Sequence, residues 1–485
     1  MNYLLGNDRN QLTIECSEDY VDSDSEVRVI DKIIDTLDIE SLGFKIGKND
    51  TIGRPMFNPK DMLKLYVYGY INGIRSSRKL AKQAIINREI IWLINGLKPK
   101  YRVIADFRKD NINALTNVFE SFVQYCIELG LYGKELIAVD GTKLEASASK
   151  RKHYSKDKIN KMKELIQNKI NKYMHDLEKN DLYESNEEIN LEKEELHNAL
   201  QKLDNKLQKY VELEKTLEIS GINEINFTDP DAKTVQFGAH QGTDVGYNIQ
   251  AAVDSKNKLV TTFEVINKST DYGQLYNISD KAKSIFNIKS IESLADKGYF
   301  EVTDLIKCEE NQIICYVSKP IYANSTGEFV YFYDNFKYNP QDNTYRCPEG
   351  HNLLCVTKKE NTDKRKYVNF EACSKCPNKN KCTTAKEGRI ITRKKNEDIV
   401  EIINRRTKKF KDKYSQRQEI IEHVFGTLKR SMNFTHLLLR GFKKVNGEVS
   451  IAFFSYNLKR VINILGVERF LGYLNDDKFI KVATH

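Results

Sequence analysis

The sequence predicts a mixed α/β protein whose central sheet is interrupted by two insertions. Residues 136–139 form a short apolar run typical of a buried strand, and residues 247–253, 259–265, 291–295 and 313–317 are also predicted to be strands. Apolar residues at helical spacing occupy residues 272–286, between the third and fourth of these runs, and residues 415–432, after the last of them. A helical Lys/Glu/Leu-rich stretch at 155–218 and a polar, Cys-bearing stretch at 320–399 separate parts of this core.

The first 130 residues are predicted to form a helical, helix-turn-helix-like domain. Asn58 caps a helical pattern that starts at Pro59, and two shorter helices follow at 78–84 and 90–93. Residues 60–110 hold twelve Lys/Arg against four acids, and clustered bases attract a polyanion by releasing its counterions. The DNA-binding candidates here are Arg75, Arg78, Lys79 and Lys82. A basic packing domain without DNA contact is the alternative.

The composition predicts a cytoplasmic protein. The chain has 485 residues, 40% of them hydrophobic and 30% charged, with a net charge of +9. No apolar run approaches the roughly 18–20 residues that span a membrane, and the first residues lack the pattern of a signal peptide. The cysteines are odd in number and unevenly spread, which favours reduced thiols or a metal over disulfides. We therefore expect a soluble protein with no membrane partner.

Three acids lie at key positions in this order of elements. Asp140 ends the first strand, Asp296 ends the fourth, and Glu422 lies on the late helix with Lys429 two turns further on the same face. Carboxylate oxygens suit Mg²⁺, and two such ions can activate a nucleophile and neutralise charge on a phosphate. The trio therefore predicts phosphodiester chemistry, with Asp140 bridging both ions. An Asp that ends a strand before Gly is more often a turn former, and Glu419 is a competing third acid.

These residues lie within a series of motifs that resembles a known family. The chain resembles DDE transposases of bacterial insertion sequences, in the insertion-sequence-four superfamily and nearest its "eleven-eighty-two" branch. The resemblance covers roughly residues 50 to 465. The matching segments are Thr51–Pro55, Asp140–Thr142, Asp229–Ala232, Gly246–Gln250, Asp296–Tyr299, Glu422–Lys429, Leu439–Gly441 and Tyr456–Arg460.

The resemblance implies an α/β RNase H-like catalytic core, in which acids on the first strand, after the fourth strand and on a late helix converge. The core would comprise residues 131–154, 219–319 and 400–465, with a tail at 466–485. The implied activity is binding of terminal inverted repeats and Mg²⁺-dependent (or Mn²⁺-dependent) cleavage and strand transfer into target DNA, with two ions per active site and a homodimer on double-stranded DNA.

The superfamily also places a tyrosine, an arginine and a lysine around the third acid. Tyr414, Arg417 and Lys429 fit that pattern, although four residues rather than the usual three separate Arg417 from Glu422. Together with Arg430, these side chains are expected to contact DNA; surface solvation is the alternative. A nuclease of the same fold that does not transpose is the nearest other enzyme. A DNA-binding regulator with an inactive core is the other alternative.

The two insertions have their own interpretations. Residues 155–218 are predicted to form a helical hairpin that either packs on the core or serves as a dimerisation or DNA-clamping arm. Within 320–399, four thiols could build a tetrahedral, zinc-ribbon-like site. These are Cys347, Cys373, Cys376 and Cys382. The wider gap before Cys382 departs from a CxxC pair, so unligated thiols are the alternative.

Overall fold

The computed structural model describes residues 10–12, 14–47, 55–181, 187–238, 242–321, 323–357 and 363–475. The motif residues 51–54 and the tail residues 476–485 lie outside this part. The helices are α1 (Glu26–Asp35), α2 (Pro59–Ile71), α3 (Ser77–Ile86), α4 (Arg88–Leu93), α5 (Tyr101–Asp110), α6 (Ile112–Glu128), α7 (Lys156–Asp181), α8 (Glu187–Ser220), α9 (Leu275–Phe286), α10 (Val302–Glu310), α11 (Phe370–Lys375), α12 (Lys379–Cys382), α13 (Glu397–Lys409), α14 (Lys411–Gly426), α15 (Phe442–Leu465) and α16 (Val467–Asn475). The strands are β1 (Leu136–Glu145), β2 (His153–Ser155), β3 (Glu224–Asn226), β4 (Lys233–Gly238), β5 (Gly242–Asp254), β6 (Val260–Ile266), β7 (Ile291–Ala295), β8 (Ile313–Val317), β9 (Lys337–Asn339), β10 (Thr344–Arg346), β11 (Asn352–Cys355), β12 (Lys364–Val368) and β13 (Ile391–Lys394).

The central sheet confirms the predicted mixed α/β class. Its strand order is β4-β5-β1-β7-β8, with β6 also paired to β5. Strands β1, β5 and β6 are antiparallel, whereas β7 and β8 continue from β1 in parallel. This is the arrangement expected of an RNase H-like core. The predicted strands at 291–295 and 313–317 match β7 and β8, while β4 falls outside the predicted strands.

The N-terminal helices and the sheet share one hydrophobic core. Helix α15 is buried along most of its length because it packs against α2 and α6 on one side and β6 on another. The rings of Phe119, Phe263 and Phe453 join α6, β6 and α15, with centroids 5.2 to 6.3 Å apart. Each such buried ring contributes roughly 1.5–3 kcal/mol of hydrophobic stabilisation. Among the described residues, no helix is long and apolar enough to cross a membrane.

Helices α7 and α8 pack against each other as the predicted hairpin, and the short strands β2 and β3 pair at its base. Its apolar stripe includes Ile159, Ile166, Leu213 and Leu217, which are all buried between the two helices. This cluster is separate from the main core.

The Cys-bearing segment folds around a five-stranded antiparallel sheet, in the order β13-β12-β11-β10-β9. This segment has a small hydrophobic core of its own. Tyr345, Leu353, Tyr367 and Ile391 form a small buried cluster with Phe336. Tyrosine rings supply this core because they bury a large apolar face while their hydroxyl groups keep hydrogen-bond partners.

Two of the motifs meet at the start of α15. The backbone N–H of Gly441 donates to Asp229 at 3.2 Å, and that of Phe442 donates to Asp231 at 3.0 Å. Tyr247 also donates to Asp229, at 2.9 Å. Carboxylates at a helix N-terminus satisfy its unpaired N–H groups and its dipole. These aspartates therefore anchor α15 beneath the sheet.

Candidate active site

Strand register places two of the predicted acids side by side. Strands β1 and β7 pair in parallel, with Ala138 opposite Leu294. Asp140, within β1, and Asp296, just after β7, each follow two residues later, so they lie side by side on neighbouring strands. Asp296 also caps a short 3₁₀ turn, accepting a hydrogen bond from the Gly298 N–H at 2.7 Å. This turn fixes its carboxylate where the strand ends.

The carboxyl group of Asp140 ionises with difficulty. The pKa of Asp140 is raised to about 6, chiefly by burial and also by the negative charge of Asp296, while the hydrogen bond from Gly141 and the charge of Arg417 oppose this rise. The Gly141 N–H donates at 2.8 Å, and the Arg417 guanidinium lies 3.7 Å from the carboxylate. Because adjacent carboxylates repel each other, a cation bound between them would lower this cost.

This raised pKa gives a stability prediction for protein in chelator. An unfolded Asp ionises near pH 3.9, so ionisation of folded Asp140 costs stability as pH rises from about 4 to about 6. Asp140→Asn cannot ionise and is expected to be more stable than wild type by on the order of 2 kcal/mol at about pH 7.5, with little difference near pH 4. Chemical denaturation at both pH values measures this. Equal or lower stability of the variant at the higher pH would contradict it.

A fourth acid, which the sequence analysis missed, lies close to this pair. Asp271 accepts hydrogen bonds from Lys143 at 2.9 and 3.1 Å, from Asn248 at 2.7 Å and from Gln250 at 2.7 Å. Gln250 in turn accepts a hydrogen bond from the buried hydroxyl of Tyr299. The negative charge of Asp271 contributes to the raised pKa of Asp140. This network packs β5 and the turn after β6 against the acid pair.

The same network explains the glycine after Asp140. A Cβ at Gly141 would lie 2.5 Å from Asp271 Oδ1 and even closer to the Gln250 amide, so a side chain at this position would displace the network. The signal for this network was present in the sequence, because Asn248 and Gln250 are polar residues in an otherwise apolar strand. Both side chains are fully buried.

Helix α14 crosses β1, β5 and β7 and brings cations to the acid pair. Arg417 faces Asp140, and α14 ends in a π-helical turn, Thr427–Ser431, that carries Lys429 and Arg430. Such turns widen the helix and are frequent at functional sites. Desolvation and the charge of Lys143 lower the pKa of Lys429, and Asp140 partly offsets them. The Lys429 ammonium is therefore in the field of Asp140.

The two candidate third acids have different partners. Glu422 is exposed and accepts a hydrogen bond from Gln418 of the same helix at 2.8 Å. Glu419 forms an ion pair of 2.6 Å with Lys258, which lowers the pKa of Glu419. Tyr414 lies in the first turn of the same helix, before both acids, and lines a large groove with Lys297, Lys408 and Lys411. The structure thus joins Asp140 with Asp296 and leaves Glu422 paired to its own helix.

The predicted DNA-binding residues of the N-terminal helices divide into two groups. Arg78, Lys79 and Lys82 are exposed on α3, and the Arg78 guanidinium stacks on Tyr101 at 5.3 Å. Arg75 is instead 4% exposed and pairs with the fully buried Glu448 at 2.9 Å. A guanidinium enclosed in this way is not available to DNA, so the role predicted for Arg75 is wrong.

The thiols of Cys347, Cys373, Cys376 and Cys382 line one cavity, together with His351. In the part of the chain that the structure describes, however, no three His, Cys, Asp or Glu side chains are arranged to hold a metal ion as they stand. This applies both to the cysteines and to Asp140, Asp296 and Glu422. The carboxylate donors still fit a hard divalent cation, and the thiols fit zinc.

Two segments of the chain match known protein families. Residues 346–462 match the family described as "Transposase DDE domain", and residues 15–110 match "Transposase domain (DUF772)". No curated protein matches the chain, and no solved structure does either. The first match covers β11 to β13, α11 to α14 and most of α15, and the second covers α1 to α5. Two separate segments of the chain are thus similar to transposase families, consistent with a DDE transposase of insertion sequences.

Proposed function

We propose that this protein binds the terminal inverted repeats of an insertion sequence and catalyses cleavage and strand transfer of the element's ends. The observation that carries this proposal is the placement of Asp140 beside Asp296 on the neighbouring strands β1 and β7, with Arg417 of α14 3.7 Å from Asp140. Two adjacent carboxylates can bind a divalent cation, and the basic side chains beside them can bind a phosphate. This combination favours metal-assisted phosphodiester chemistry over a purely structural ion pair.

Asp140, Asp296 and Glu422 would hold two Mg²⁺ or Mn²⁺ ions. Such ions activate water or a 3′-hydroxyl and neutralise charge that develops on the phosphate. The raised pKa of Asp140 supports this assignment, because burial and, to a smaller extent, the charges of Asp296 and Asp271 make its ionised form costly without a cation. Glu422 is exposed and bound only by Gln418 in the contacts described, so it is free to exchange this partner.

The cations of α14 would bind and orient the DNA end. Arg417 can move its guanidinium from Asp140 to a phosphate, since their separation of 3.7 Å is long for a hydrogen bond. A phosphate beside Lys429 would offset the charge of Lys143 and so favour the protonated ammonium. Arg430 lies on the same π-helical turn, and Tyr414 faces the adjoining groove.

The exposed bases of α3 are proposed to position duplex DNA. Arg78, Lys79 and Lys82 lie on one short helix, and contacts of this kind to phosphates set register and orientation. We propose that two copies of the chain act together on the paired ends, in the cytoplasm where the bacterial chromosome lies. The helical hairpin α7–α8 is available as a dimerisation or clamping arm.

Reactions on a plasmid that carries the coding region with its natural flanking DNA would test the function. Full-length protein with Mg²⁺ is expected to break the DNA at both ends of the element and to join those ends to a second plasmid. Breaks without joined products would favour the nuclease that does not transpose. Binding without breaks would favour the regulator.

Zinc is proposed as a second, structural metal, held by the four thiols that line one cavity. We expect about one zinc per chain, because a tetrathiolate site is strongly coupled to folding. Cys373→Ser with Cys376→Ser should remove the zinc and make residues 320–399 protease-sensitive. Cys355→Ser is the matched control, since Cys355 lies in the same segment on β11. Elemental analysis that finds no zinc in a protease-resistant protein would contradict the site.

A further inference from the structure

Lys143 lies three residues after Asp140 on β1, and a carboxylate fixes its ammonium group. It donates to both oxygens of Asp271, at 2.9 and 3.1 Å, and each of the two side chains is 17% exposed. An ammonium group has three N–H donors, so two of them suffice for these contacts. Among the described residues, no other side chain or carbonyl oxygen accepts from this ammonium group. Lys143 is thus held in place and still has a donor for an outside anion.

The carboxylate of Asp271 does not depend on Lys143 for its orientation. Its Oδ1 also accepts from the side-chain amides of Asn248 and Gln250, at 2.7 Å each. Both amides are fully buried, and burial of polar groups costs free energy that their hydrogen bonds only offset. Apolar side chains often replace a buried ion pair without loss of stability. Stability alone therefore does not account for this network.

The network also fixes the ammonium group relative to both acids of the candidate active site. Gln250 accepts a hydrogen bond from Tyr299, which lies three residues after Asp296. At its other end, the network carboxylate lies so close to Gly141 that a Cβ there would be 2.5 Å from it. Because Gly141 directly follows Asp140, the same hydrogen-bonded group touches the chain beside each acid.

A second cation lies near the Lys143 ammonium group. The pKa of Lys429 is lowered first by desolvation and then by the charge of Lys143, and the charge of Asp140 raises it. The two lysines come from different elements, β1 and the π-helical turn after α14. Two ammonium groups repel each other, whereas a phosphate between them would be attracted by both.

We propose that Lys143, together with Lys429, binds a phosphate of the DNA end, and that Asp271 is the residue that positions Lys143. This inference rests on the proposed function and adds a cation from the sheet to those of α14. Lys143 and Asp140 belong to the same strand, so this contact would place the phosphate relative to the metal-binding acids. Small errors in such placement slow a reaction strongly.

Variants of the full-length protein separate a phosphate contact from a role in folding. Lys143→Met removes the ammonium group but leaves the charge of Asp271 without its counter-charge, which by itself lowers stability. The double variant Lys143→Met with Asp271→Asn removes both charges, and the Asn oxygen can still accept from the two buried amides. Lys283→Met is the matched control on α9, because Lys283 is 16% exposed and pairs with Asp280 at 3.3 Å.

Binding and cleavage are measured on a linear DNA fragment that carries one natural flank of the coding region. The double variant is expected to keep a thermal midpoint near that of wild type and to cleave on the order of 10²-fold more slowly in single turnover. The slope of log K against log salt, measured in chelator, should fall by about 0.9 for the one lost phosphate contact. The Lys283 variant should keep the wild-type rate and slope.

Asp271→Asn alone tests the positioning role. It keeps the charge of Lys143, so the salt slope should stay unchanged while misplacement of the ammonium group slows cleavage by about tenfold. A wild-type cleavage rate in this variant would overturn the role of Asp271.

The double variant decides the role of Lys143. If it cleaves at the wild-type rate while Lys143→Met is slow, Lys143 only neutralises Asp271 and the inference is overturned. An unchanged salt slope, measured well below the thermal midpoint of the double variant, would overturn it as well. If wild type cleaves the fragment and the double variant cleaves it equally fast, this inference fails alone. If wild type neither binds nor cleaves the fragment, both proposals fail.

Discussion

Asp140→Asn and Asp296→Asn are each expected to reduce metal-dependent cleavage of element ends by on the order of 10³-fold or more, and Glu422→Gln by a similar factor. Each substitution keeps the size of the side chain and removes one negative charge. For Asp140 and Asp296 this charge lies where β1 and β7 run side by side, and a divalent cation would bind between the two carboxylates. DNA binding should change little, because cations supply most of the affinity for phosphates.

Single-turnover cleavage and DNA binding, measured on the same preparations, check this prediction. Glu419→Gln is the matched control on α14, since Glu419 is exposed and pairs with Lys258. It should cleave at nearly the wild-type rate. A Glu419 variant that is inactive beside an active Glu422 variant would reassign the third acid. Near wild-type cleavage by either aspartate variant would remove that residue from the active site.

Arg75→Met is expected to destabilise the protein by about 3–5 kcal/mol, because it leaves the charge of Glu448 buried without its partner. Arg75 also donates to the carbonyl oxygens of Asn433, at 2.9 Å, and His436. The Glu448 carboxylate would keep only backbone donors such as the N–H of Leu438, at 2.9 and 3.0 Å. Burial of an unpaired charge is among the largest single-residue effects on stability.

Chemical denaturation of Arg75→Met beside Arg78→Met tests this prediction. Arg78 is exposed on α3, so its loss should change stability by less than about 0.5 kcal/mol while weakening DNA binding. Adding Glu448→Gln to Arg75→Met should recover part of the lost stability, since the buried charge is then gone. An Arg75→Met protein of normal stability and weakened DNA binding would restore the DNA-contact role predicted from the sequence.

The sequence patterns predicted the strands better than they predicted which side chains pair with one another in the folded protein. β8 is a continuous apolar run, and β7 has apolar residues at Ile291, Leu294 and Ala295 between polar turns, so the bounds of both strands could be predicted from the residues alone. The role of Arg75 could not be predicted in this way, because its partner Glu448 lies 373 residues away. A basic residue in a basic segment has the same local pattern whether it faces solvent or a buried carboxylate.

The candidate active site could likewise be predicted only in part from the sequence. Asp140 and Asp296 were predicted because each follows a short apolar run. The structure extends β1 past Asp140 to Glu145, and strand register places the two acids together. Asp271 lies in a turn with no apolar run before it, so only the fold reveals its hydrogen bonds to Lys143 and Gln250. In the Cys-bearing segment, scattered tyrosines gave no periodic signal, although they form the core of its sheet.

The shared core of the N-terminal helices and the sheet has a geometric consequence. Helix α2 packs on α15, and Arg75, just before α3, is locked to α15 through Glu448. The bases of α3 therefore cannot swing independently of Asp140 and Asp296. If α3 binds duplex DNA as proposed, the protein sets the distance between the base pairs that α3 contacts and the scissile phosphate. The protein would then cut at a fixed number of base pairs from the DNA segment that α3 contacts, whatever the base sequence between the two sites.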